Sequence, residues 1–192
     1  MLLRHVLAIS LSIISASAFA DSLDISLSND VAQFQYIAPM GHVGQGKSEA
    51  HMGFLYNNSN NVLGDVGLLV MNNGDNAAAA SFGVGVKVIA ATLEKENTMA
   101  LALGGQVRLS PSDDKKLGIV GQLYFAPDIV TFGDADRFIE TGVRVEYEVM
   151  QQAAAYVGYR KIKFNVNTLP APFPAVGKVL DEGIHVGVRV AF

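Results

Sequence analysis

Few residues in this chain have types suited to chemistry. His185 could work with Glu140, Glu146 or Glu148 as an acid/base pair that activates a serine hydroxyl, the arrangement that cleaves esters. Its frame is missing. There is no G-x-S-x-G turn, and no serine stands clearly beside His185. Metal binding has less support. Cysteine is absent, and His42 and His51 flank a glycine-rich stretch without the spacing of a ligand set. Asp113-Asp114 before Lys115-Lys116 reads as a solvated turn. Asp134 and Asp136 are too few carboxylates for calcium. Gly83 and Gly85 suit close strand packing rather than a phosphate cradle. No catalytic, metal or cofactor residue is assigned, and the chain is not expected to be an enzyme.

The polar residues have another regularity. Lys87, Gln106, Arg108, Gln122, Tyr124, Glu140, Arg144, Glu146, Glu148, His185 and Arg189 each occupy alternate positions in segments whose other positions are apolar. In "FIETGVRVEYEV", residues 138–149, Ile139, Thr141, Val143, Val145, Tyr147 and Val149 share one face. Phe138, Glu140, Gly142, Arg144, Glu146 and Glu148 share the other. The segments 78–90, 99–109 and 117–125 follow the same rule, as does the terminal "GIHVGVRVAF". The mixed segment 154–164 allows no assignment of faces. Turn-forming clusters separate the segments, and longer breaks fall at 39–48, 126–136 and 167–178.

Of the 192 residues, 50% are hydrophobic and only 17% charged, and the net charge is −4. That mild balance suggests no nucleic-acid partner. Residues 1–20 read as a secretory signal: Arg4 and His5, a short apolar run, then Ala18-Phe19-Ala20 before Asp21. The expected domains are therefore this leader and one β-domain over 21–192, in a bacterium. No later stretch offers 18 unbroken apolar residues for a helical span.

Two all-β folds compete. A soluble periplasmic sandwich, serving as a binding protein, would turn its apolar faces inward. A membrane barrel would turn them to lipid and enclose the polar ones. The strands here are long, and their polar faces mix Gly, Ala and Ser with a few charges. Small neighbours leave room for long side chains to pair across a narrow lumen. The expected fold is a single antiparallel transmembrane barrel of ten strands, or eight if residues 21–38 plug the lumen. The C-terminal end should then be periplasmic. The ending Ile184, Val186, Val188, Val190, Phe192 resembles the C-terminal signal of bacterial outer-membrane barrels, which the insertion machinery reads.

The stretch "GQLYFAPDIVTFGDADRFIETGVRVEYEVMQQAAAYVGYRKIKF", with "DEGIHVGVRVAF", "LALGGQVR" and "DSLDISLSND", resembles the YfaZ family of outer-membrane proteins. "YFAPD" and Gly158-Tyr159-Arg160 are its most specific pieces. The resemblance implies a fold and a location and brings no activity. The expected function is a small monomeric outer-membrane barrel with a charged, hydrogen-bonded lumen, structural or a narrow polar pore. Its partners would be membrane lipid and the insertion machinery. An enzyme modifying membrane lipids through lumen or rim His and Glu groups is the alternative.

Overall fold

The computed structural model describes residues 21–72, 80–93, 96–111, 116–166 and 176–192. The leader with Ala18 and Ala20, the Asp113-Asp114 pair and most of the loop 167–178 lie outside them. The chain alternates strand and turn throughout: β1 (Ser22–Leu27), β2 (Val31–Val43), β3 (Gly46–Asn57), β4 (Val62–Asn72), β5 (Ala80–Leu93), β6 (Glu96–Leu109), β7 (Leu117–Ala126), β8 (Thr131–Gly133), β9 (Ala135–Met150), β10 (Ala153–Val166) and β11 (Val176–Ala191). Neighbours pair antiparallel, and β1 pairs with β11 from Ser22↔Ala191 to Leu27↔Val186. That last pairing closes the sheet. The wall has ten positions, because the short β8 takes up the edge of β6 where β7 has ended. Pro127 and the 3₁₀ turn Asp128–Val130 make that step.

Closure decides between the two folds. A sandwich needs two sheets with open edges, whereas here one sheet returns to itself. The alternating faces then have fixed destinations. Phe34, Phe54, Leu68, Val84, Leu103, Leu123, Val143, Val157 and Ile184 point outward and are exposed. An aliphatic belt running right round a barrel far exceeds the few hundred Å² that a soluble monomer exposes. Hydrocarbon is the medium that matches it. The other face of each strand points into the lumen.

The chain departs from the sequence reading in three places. Residues 39–48 are not a long break. β2 runs on to Val43, turns through Gly44 (φ 61°) and Gln45, and returns as β3. Glycine at the first central position of a two-residue hairpin is what that turn requires. A bulge between Pro39 and Gly41 absorbs the proline, which cannot donate to a ladder. The break at 126–136 contains β8 and the start of β9. Residues 21–38 belong to the wall as β1 and most of β2, so no segment there plugs the barrel.

The strands are unequal. β1 has six residues and β11 sixteen. β1 pairs with β11 only as far as Leu27 and Val186. Above that point β11 has β10 on one side and, among the described residues, no strand on the other.

Candidate functional site: the barrel lumen

The lumen has two zones. Around mid-height and toward the end that carries Asp21 and Phe192 it is charged. Asp24 of β1 receives Arg144 Nη1 at 3.3 Å, Arg189 Nη2 at 3.1 Å and the Tyr156 hydroxyl. Glu146 holds Arg144 Nε at 2.7 Å and Arg108 Nη2 at 2.8 Å. Lys87 donates to Glu140 at 2.9 Å, lies 3.9 Å from Asp65, and sits 4.5 Å from the centre of the Tyr124 ring. Gln122 donates to the other oxygen of Glu140 at 2.9 Å. Arg160 pairs with Asp181 at 2.6 Å and donates to Gln33. Charges in a lipid-enclosed interior persist only when partnered, and each arginine and lysine named here has a carboxylate.

Glycines make this packing possible. A Cβ at Gly187 would run into the Tyr156 ring, and one at Gly53 into the Asp65 carboxylate. Each large side chain thus lies over a bare patch of the facing or neighbouring strand.

Toward the opposite end the same inward faces turn apolar. Leu55, Leu63, Ile89, Leu93, Phe138, Ile162, Phe164, Val166 and Leu180 are almost fully buried there, with Ala100, Ala102, Ala126 and Ala135 between them. The Phe138 and Phe164 rings meet at 4.8 Å. This cluster is an internal plug. It corrects the expectation of a polar interior throughout: Phe138, counted on the polar face of β9, is at the centre of an oily core. It also explains why 154–164 looked mixed. Tyr156, Arg160, Ile162 and Phe164 all point inward. Direction alternates as expected, but the chemistry inside changes from polar to apolar as the strand rises.

Of the expected lumen residues, Lys87, Arg108, Gln122, Tyr124, Glu140, Arg144, Glu146 and Arg189 join the network. Gln106 lines a hollow of about 20 Å³ beside His51, Lys87 and Gln122. His185 is 6% exposed, lies edge-on to Tyr156 at 5.8 Å, and lines a hollow of about 30 Å³ with Asp24, Glu140 and Arg160. Both hollows are of water size. Glu148 is not brought in. It is exposed at the mouth, where it lines a recess with Arg108, Glu146 and Arg189. Asp24, Asp65, Tyr156, Arg160 and Asp181 were missed. Their signal was available, since an ionisable residue within an otherwise apolar spanning strand has only the interior to face. Among the described residues no cluster of three or more His, Asp or Glu is placed to hold a metal.

A closed antiparallel wall, an aliphatic belt and an enclosed ion-pair network define an integral β-barrel of the bacterial outer membrane. The chain matches the family described as YfaZ precursor over residues 2–192 and belongs to that family. No curated protein matches it. Among solved structures it is similar to outer-membrane OmpT of Vibrio cholerae, with a TM-score of 0.45, 14% identity, and 84% of this chain and 56% of that one covered. The chain thus spans little more than half the length of that OmpT. It is similar to the outer-membrane channel DcaP of Acinetobacter baumannii, with a TM-score of 0.45, 9% identity, and coverage of 89% and 62%. The KdgM porin gives 0.42 and 12%, with coverage of 90% and 99%. The barrel rests on its own strand pairing.

Proposed function

We propose that this protein is a sealed structural barrel of the outer membrane, whose charged lumen braces the wall instead of conducting solute. The plug around Phe138 and Phe164 carries the reading, because it fills the lumen at one end with side chains almost fully buried. The polar hollows below it, of about 20 and 30 Å³, are too small for a solute larger than water. In this reading both termini are periplasmic, and the alternating strand that ends on Phe192 is the segment the insertion machinery reads.

Conductance tests it. The purified protein in planar bilayers should give no unitary steps at any voltage the bilayer survives. Regular steps would establish the narrow-pore reading instead. The enzyme reading has His185 as its best residue, and His185 lies beneath the plug, out of reach of lipid. Lipid A from cells that carry His185→Ala should therefore match wild type by mass spectrometry, and a changed lipid would restore the enzyme.

A further inference from the structure

The seam between β1 and β11 leaves an opening that the lumen reading does not use. Where β1 stops, a crevice of about 890 Å³ opens in the side of the barrel. On one side is the edge of β11 from Val179 to Val186. On the other are the turn Ser28–Asp30 and the turn Asn57–Ser59. The two turns are tied together, Asn58 N–H donating to Asp30 O at 2.9 Å. They are joined to β11 by Asn57 Nδ2, which donates to Leu180 O at 3.0 Å.

The edge of β11 sets the chemistry. Phe192 N–H bonds Asp21 O on the β1 side, so by strand alternation Val186, Ile184 and Glu182 also turn their backbone groups that way. Val186 has Leu27 as its partner, whereas the ladder gives Ile184 and Glu182 none among the described residues. An edge in a membrane wall that lacks both donor and acceptor partners is costly. The Asn57 amide already answers one of its carbonyls as a ligand would.

The lips of the crevice differ. The lower lip is aliphatic and faces lipid: Leu27 is 54% exposed, Val186 56% and Ile184 70%. The upper lip is amide, hydroxyl and carboxylate: Asn29, Asp30, Asn58, Ser59 and Glu182. A hydroxyl both donates and accepts, so it can serve N–H and C=O groups of one edge. A phosphate only accepts and would meet the Asp30 carboxylate, while Glu182 is already held by Lys161 Nζ at 2.9 Å and the Tyr159 hydroxyl at 3.1 Å. We infer that this crevice seats a glycolipid of the leaflet at the loop end, its uncharged sugar hydroxyls against the free edge of β11 and its acyl chain along Leu27, Ile184 and Val186.

Native mass spectrometry and amide chemical shifts can read this. The full mature barrel, in amine-oxide micelles, is titrated with dodecyl maltoside, dodecyl phosphate and free maltose. Dodecyl maltoside should bind saturably and shift the amides of Ile184, Glu182 and Asn57. Dodecyl phosphate and maltose should bind at least about tenfold more weakly, a difference of about 1.4 kcal/mol. Ser59→Trp and Ile184→Trp, which fill the opening from either side, should each abolish the shifts while gel migration of unheated samples still reports a closed barrel. Equal binding of the two dodecyl heads would reduce the effect to partition of the tail and overturn the inference. So would maltose binding as well as its alkyl glycoside, or an extended peptide displacing the lipid by pairing with β11. Conductance is silent on the crevice, so this inference and the sealed-lumen reading fail separately.

Discussion

Asp24 shows what one side chain does inside this barrel. It receives two arginines and a tyrosine from β9, β10 and β11, three strands remote from its own in sequence. Asp24→Ala would leave those groups buried beside a cavity. Breaking a buried pair by removing one partner costs about 3–5 kcal/mol, and the urea midpoint for unfolding in micelles should fall accordingly. Lys87 and Glu140 should behave as a unit. Lys87→Met alone strands Glu140, and adding Glu140→Gln removes the stranded charge while keeping a group for Gln122. The double variant should therefore be more stable than the sum of the single losses predicts, by about 0.5–3 kcal/mol of coupling. A double-mutant cycle measured by the same unfolding assay would show it, and simple additivity would mean that the pair is not coupled.

At the level of single strands, much was legible and the gaps have physical causes. The middle of β9 could be read residue by residue, because its inward positions Glu140, Gly142, Arg144 and Glu146 are charged or glycine and none of the outward ones from Ile139 to Val149 is. The hairpin of β2 and β3 was not legible. Pro39, Gly41, Gly44 and Gly46 read as a loop, but a bulge takes the proline and a two-residue turn takes Gly44. The plug was illegible for a different reason. Ile162 inside and Val157 outside are both aliphatic, and periodicity cannot distinguish a side chain that meets lipid from one that meets another strand's side chain. β11 offers a depth test of its lipid face. Val188 and Val190 both point outward, but Val190 lies two residues nearer the end of the chain. Val188→Lys should destabilise by about 2–4 kcal/mol, as a lysine near the midplane does, and Val190→Lys by about 0–1 kcal/mol. Equal penalties would mean that the lipid belt is placed wrongly along the strand.

For the molecule as a whole, the plug and the network divide the labour. Phe138→Ala and Phe164→Ala should each cost about 3–5 kcal/mol through lost packing, measured as a lower unfolding midpoint. A wild-type midpoint would show that the plug contributes nothing to stability. Asp21 and Phe192 are hydrogen-bonded neighbours, the N–H of one to the C=O of the other at 2.9 Å. From Asp21 to Phe192 the polypeptide is therefore a ring in all but one covalent link. Where the ring is cut should matter little to its final shape. A permuted gene that joins Phe192 to Asp21 through a short linker and opens at Gln151, in the exposed β9–β10 turn, should yield the same heat-modifiable barrel. It would also leave Phe192 inside the chain and place the new chain end on β9 at Met150, so its yield in the membrane would test whether a terminal aromatic is needed for insertion.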